Sequence, residues 1–200
     1  MYITKIEQGK GKRYKVYSED GFLFSLYRQE LRRYHIEENT ILPEEIITEI
    51  LEQIVLKRAK ERALYLLERR PYTCFMMKNK LKDSDYPAGI VEQVIFFLQK
   101  YHYLDDEAYI KMYVDSYSKS KSKRQIQNDL QRKGITKELV CNFMTKEDYS
   151  EEACFIKQFN HYIKGKDISD WTVRQKVFRY FYNKGFSYSL IDEYMRSISE

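Results

Sequence analysis

The residues of this chain best suited to chemistry are cations. Lys119, Lys121, Lys123 and Arg124 stand close together, Arg132 and Lys133 follow, and only Asp129 interrupts them. Ser122 can cap a helix beginning at Lys123, and a helix N-terminus turns backbone N–H groups toward anions. Such a stretch can hold a phosphate backbone or an acidic protein surface. A solvated, flexible loop of charges would look the same. Arg69 and Arg70, with Lys78 and Lys80, form a second basic group. Arg174, Lys176, Arg179 and Lys184 form a third. The three groups recur near corresponding helices, which points to a basic face, although Lys80 aligns with Asp129 and Tyr180.

Other constellations read as structure. Asp105-Asp106-Glu107 fits a helix N-cap with first-turn acids better than a metal or acid–base cluster. Gly9-Lys10-Gly11-Lys12-Arg13 lacks the spacing and the following helix of a phosphate loop, so a hairpin turn is expected. Trp171, Phe178, Phe181 and Tyr182 could stack on bases, but their helical spacing favours a core role. His35, His102 and His161 form no metal-ligand pattern, and no Ser/His/Asp or Cys/His set has local support. Cys74, Cys141 and Cys154 are widely spaced, as expected of reduced thiols in a cytoplasmic protein. No cofactor is implied, and an enzyme is the least favoured reading.

The elements that must carry the cations repeat. Leu81, Leu130 and Phe181 act as anchors, each preceded four residues earlier by Met77, Ile126 or Val177. Apolar pairs follow at matching distances: Ile90-Val91, Leu139-Val140 and Leu190-Ile191, then Val94-Ile95, Phe143-Met144 and Tyr194-Met195. Just after the anchors come Ser84-Asp85, Lys133-Gly134 and Lys184-Gly185. A fixed period of this size signals tandem copies of one supersecondary unit. Thr73, Asp105, Ser122, Thr136, Ser150 and Ser187 mark helix starts, and Gly134, Gly165 and Gly185 mark stops. Pro43-Glu44-Glu45 opens a lead-in helix whose stripe runs through Ile47, Leu51, Ile54, Ala59, Ala63, Leu66 and Leu67.

Residues 1 to about 30 differ, with period-two alternation at 2–6 and 14–17 and an apolar run at 22–26. They predict a small antiparallel meander that needs the helical body for stability. The expected fold is therefore all-α. Tandem three-helix, helix-turn-helix-like repeats would form an elongated curved array with a small N-terminal β extension. Boundaries are expected at 1–42 for the extension, 43–104 for the first repeat with its lead-in helix, 105–147 for the second and 148–200 for the third. Apolar residues at 43% and charged residues at 32% of 200 describe a globular chain, not a disordered one. The net charge of +5 permits a polyanion partner without demanding one. No apolar run reaches the length of a membrane span, so no membrane partner is expected.

These residues resemble the RecX family, bacterial regulators of the RecA recombinase. The likeness rests on Ala63-Leu64-x-Leu66-Leu67-x-Arg69-Arg70, on Lys80-Leu81, and on Tyr103-Leu104-Asp105-Asp106-x-x-Tyr109-x-x-x-Tyr113-Val114. It extends through Ile126-x-x-x-Leu130-x-x-Lys133-Gly134-Ile135. Where the family often has Gly-Pro before the basic helix of its second unit, this chain has Lys121-Ser122, and Met76-Met77 replaces an acidic-Leu pair in the first. The resemblance implies a non-enzymatic modulator that binds RecA–single-stranded DNA filaments and restrains ATP hydrolysis and strand exchange in DNA repair. A repeat array with polar, capping ends fits a monomer. Direct contact with single-stranded DNA would come through the basic groups. Lys123, Arg124, Arg132 and Lys133 are the expected primary contacts, with Arg69, Arg70, Arg174 and Arg179 secondary. The alternatives are a sequence-tolerant helix-turn-helix nucleic-acid-binding module acting without a recombinase, and a solenoid scaffold.

Overall fold

The computed structural model describes residues 1–146 and 150–198. The boundary expected between 147 and 148 lies outside the described residues. The chain divides into two compact units, Met1–Asp105 and Asp106–Glu200.

The first unit opens with β1 (Ile3–Gln8), β2 (Arg13–Ser18) and β3 (Gly21–Tyr27), an antiparallel meander in the order β1-β2-β3. The β1–β2 connection is the expected hairpin, closed by the Gly9 amide donating to the Arg13 carbonyl at 2.8 Å. Ile3, Val16, Phe24 and Leu26 are fully buried and join one core with the helices. The meander thus obtains from the helical body the apolar partner that three short strands lack by themselves.

After α1 (Arg28–Arg33) comes a helical run made of α2 (Glu44–Glu49), a π-helical segment (Ile50–Leu56) and α3 (Lys57–Arg69). Pro43 and two first-turn glutamates open it, as expected. The stripe differs from the sequence reading in one respect. Ile50 and Val55 are buried, whereas Leu51 and Ile54 are only partly so. The π turns shift the phase of the helix, a change that a constant helical period cannot anticipate. α4 (Cys74–Lys82) and α5 (Ala88–Lys100) complete this unit.

The second unit holds two sets of three helices. They are α6 (Asp106–Tyr117), α7 (Lys123–Arg132) and α8 (Lys137–Lys146), then α9 (Glu152–Tyr162), α10 (Trp171–Lys184) and α11 (Tyr188–Ser197). The sequence template is realised in each repeat. Leu81, Leu130 and Phe181 are all fully buried, and Met77, Ile126 and Val177 are at most 1% exposed. The turn after each anchor adopts a left-handed conformation at the same template position: Asp85 at φ +57°, Gly134 at +83° and Gly185 at +97°. Aspartate is one of the few residues with a side chain that tolerate this region, so the Ser84-Asp85 variant keeps the turn.

The caps expected at Thr73, Ser122 and Ser187 are present, whereas the α9 N-cap is Glu151 and not the expected Ser150. Thr73, Ser122 and Ser187 each accept the backbone N–H three residues on. Asp106 and Glu107 occupy the first turn of α6. Ser150 accepts from the Glu152 amide, one residue ahead of the α9 N-cap at Glu151.

Candidate functional site

The basic stretch before and along α7 is organised by two internal acids. Lys121 Nζ donates to Asp129 Oδ2 at 2.6 Å and to the Tyr113 hydroxyl at 3.0 Å, and that hydroxyl also lies 3.0 Å from Asp129 Oδ2. The Lys121 hydrogen bond, helped by Tyr113, holds the Asp129 carboxyl below its usual range. Burial works against charge on Lys121, but the hydrogen bonds to Asp129 and Tyr113 together raise its pKa. Arg132 lies 3.7 Å from the other Asp129 oxygen, with its side chain 81% exposed. Lys133 Nζ lies over the Tyr109 and Tyr113 rings, 6.0 and 5.5 Å from their centroids.

The second acid is Glu151, whose carboxylate accepts the Lys123 backbone N–H at 2.7 Å. The α7 N-terminus therefore receives an anion, as its dipole favours, and that anion belongs to the protein. Ser122 completes the turn with a capping box. Its Oγ accepts from the Gln125 amide, and the Gln125 side chain accepts from the Ser122 amide.

Arg124 is committed elsewhere. It donates to the Tyr182 and Asn183 carbonyls at 2.9 and 3.1 Å, while Ser122 Oγ donates to the Lys184 carbonyl at 2.7 Å. The Gly185 and Phe186 amides supply the Tyr182 and Phe181 carbonyls. Each of the last four carbonyls of α10, which no helix can satisfy internally, thus has a donor. The positive end of α7 meets the negative end of α10. Glycine is required at 185 by its conformation and by space, since a Cβ there would lie 2.8 Å from Arg124.

The expected primary contacts therefore do not form one patch. Lys123 and Arg132 are nine positions apart, which at 3.6 residues per turn places them on opposite sides of α7. Arg124 joins the second repeat to the third. Lys121, Gln125, Asn128, Asp129 and Arg132 line a shallow groove of about 200 Å³.

In the third repeat Arg179 is exposed. Arg174 lines a pocket of about 270 Å³ with Phe178, Tyr188, Asp192 and Trp171, which is 72% exposed. Trp171, the first residue of α10, and Tyr182, 48% exposed, escape the core role their spacing predicted, whereas Phe178 is half-buried and Phe181 fulfils it. Exposure of Trp171 was not readable from sequence, because residue 171 precedes the first buried turn. In the first unit Arg69 and Arg70 are exposed at the end of α3, over the rings of Tyr65 (4.4 Å) and Tyr72 (4.6 Å). Among the described residues no group of three His, Cys, Asp or Glu is placed to hold a metal, and no helix is long and apolar enough to cross a membrane. Cys74, Cys141 and Cys154 are free thiols.

Comparison with known proteins bears on the repeats that carry these residues. The chain matches the models of the first, second and third RecX three-helix domains over residues 59–98, 105–142 and 156–195. It is 28% identical to "Regulatory protein RecX" of Clostridium acetobutylicum, over 98% of this chain and 95% of that one. The protein of that name from Clostridium perfringens is 26% identical, over 98% and 96%. A crystal structure of regulatory protein RecX superposes with a TM-score of 0.63 at 26% identity, covering 96% of this chain and 97% of the other. RecX from Lactobacillus salivarius, at 19% identity and a TM-score of 0.65 over 72% of this chain and 96% of its own, shares the fold. With the domain models matched in series and relatives aligned over nearly its full length, the chain belongs to the RecX family.

Proposed function

We propose that the protein is a non-enzymatic regulator of the RecA recombinase. It binds RecA–single-stranded DNA filaments in the cytoplasm as a monomer and lowers ATP hydrolysis and strand exchange. The observation that carries this reading is the triple occurrence of the family's three-helix domain, each copy keeping its buried template while presenting different cations outward. Several weak contacts from one folded chain act as linked sites, so avidity builds without a single strong pocket. Arg132, Lys133, Arg174 and Arg179 in the second unit and Arg69 and Arg70 in the first supply the charge. Lys123 adds to it, and Arg124 contributes by fixing the second repeat to the third.

The test is RecA ATP hydrolysis on single-stranded DNA, with this protein titrated well below the recombinase concentration. The rate is expected to fall, and the double charge reversal Arg132→Glu with Arg179→Glu should weaken filament binding while leaving the helical CD spectrum unchanged. An unaltered rate at every ratio, alongside steeply salt-dependent binding to bare DNA, would replace this reading with the independent nucleic-acid module.

A further inference from the structure

A groove in the first unit lies outside all the residues so far assigned a role, apart from its neighbour Arg69. It has a volume of about 520 Å³ and runs between the β1–β2 hairpin, α3 and the α4–α5 turn. Its lining contains four cations (Lys10, Arg13, Arg58 and Arg62) and two carboxylates (Glu61 and Asp83), and because Arg58 is paired with Glu30 outside the lining, one positive charge remains in excess.

How each cation is held decides what it can do. Arg58 is paired with Glu30 and lies over Tyr27, 4.7 Å from the ring centroid. Lys10 and Arg13 instead donate to the main-chain carbonyls of Asp83 and Ser84, the latter at 2.8 Å. A carbonyl orients a cation without neutralising it, so both retain a full charge for an incoming anion. Arg62 is in no ion pair among the described residues and lies over Tyr65 at 5.5 Å. Arg69 approaches the same ring at 4.4 Å. Arg58, Arg62, Tyr65 and Arg69 are spaced by four, three and four residues, so they form one stripe on α3 beside the buried Ala59-Ala63-Leu66 stripe. Tyr65 and Tyr27 are 43% and 42% exposed, which leaves ring surface free.

Unneutralised cations beside exposed aromatic rings, along an open groove, are the chemistry that recognises phosphodiesters and unstacked bases together. We propose that this groove binds single-stranded nucleic acid. The backbone runs along Lys10, Arg13 and Arg62 toward Arg69, and bases stack on Tyr65 and Tyr27. The proposal rests on the regulator reading and deepens it by giving the β extension a strand-binding role, yet its primary measurement is made on bare strand, so the two can fail separately.

The experiment uses the full chain and a fluorescein-labelled oligothymidylate carrying 5-iodouracil, with polarisation read across a salt series. Arg62→Ala should make the salt slope shallower by about 0.7, the contribution of one phosphate contact on a single strand. Tyr65→Ala should weaken binding about fivefold or more. Both variants should keep the wild-type CD spectrum, since both side chains are exposed. Photocrosslinks should fall on Tyr65 or Tyr27. Wild-type affinity and slope in Arg62→Ala would overturn the proposal, as would crosslinks only beyond residue 105 or no wild-type binding at low salt. Competition by thymidine monophosphate as effective as that of the unlabelled strand would assign the groove to free nucleotides and overturn it too. So would loss of filament binding with bare-strand binding intact, which would give the groove to an acidic protein surface. Bare-strand binding without any effect on recombinase ATP hydrolysis would uphold the groove and remove the regulator reading alone.

Discussion

Ser122→Ala should be among the most damaging small substitutions in the second unit. The side chain is fully buried, and its one hydroxyl serves two helices. It accepts the Gln125 amide at 3.2 Å and donates to the Lys184 carbonyl at 2.7 Å. Loss of a serine N-cap costs about 1 kcal/mol, with a range of roughly 0.5–2. The Lys184 carbonyl is part-buried, so losing its donor costs the lower part of the usual range, about 1–2 kcal/mol more. The nearby Arg124 guanidinium, held by the Tyr182 and Asn183 carbonyls, is not free to replace the hydroxyl without giving up its own acceptors. The expected total is about 2–3 kcal/mol, which for a unit of this size lowers the melting midpoint by about 10 °C or more. CD at 222 nm on the full chain reads the midpoint. Hydrogen exchange by mass spectrometry should then show protection lost at both the start of α7 and the end of α10. A midpoint within about 2 °C of wild type would refute the reasoning, as would protection lost at α7 alone, because the hydroxyl would then be a local cap only.

Gly185→Ala combines a left-handed backbone with a Cβ placed 2.8 Å from Arg124 and 2.9 Å from Ser122 Oγ. It should destabilise by about 1–3 kcal/mol, measured by urea unfolding, and disturb the same joint. Asp129→Asn tests the acid that holds Lys121. Because the folded carboxyl is depressed, its contribution is present above the ordinary carboxylate range and is lost as pH falls through the folded value. The variant should be about 1 kcal/mol less stable at neutral pH, with the gap closing in acid. A gap that persists at low pH would assign the effect to packing.

Much of the fold was legible because the apolar template repeats with its turn chemistry attached. Leu81, Leu130 and Phe181 could be aligned from sequence, and burial follows that alignment. Asp85 shows why even the apparent exception was structural, since the turn constrains φ and residue type only through φ. The candidate site was legible in composition but not in geometry. Which cations face outward depends on helical phase and on partners far along the chain. Arg124 is answered by carbonyls 58 and 59 residues away, and the Lys123 amide by Glu151, 28 residues away. The α3 stripe of Arg58, Arg62, Tyr65 and Arg69 was present in the sequence, but only the groove wall supplied by the hairpin gives it a function to test.

The π-helical segment between α2 and α3 bears on how this chain could have changed its length over time. Each i→i+5 turn holds one more residue than its α counterpart needs, so the segment accommodates a surplus residue while Ala59, Ala63 and Leu66 stay on the core. Ordinary helices punish a one-residue insertion by rotating everything beyond it by about 100°. Relatives that lack the surplus would carry a straight α-helix here and a gap of one position within 50–56. An alignment of such a pair would show an indel inside a helix, where indels are usually purged.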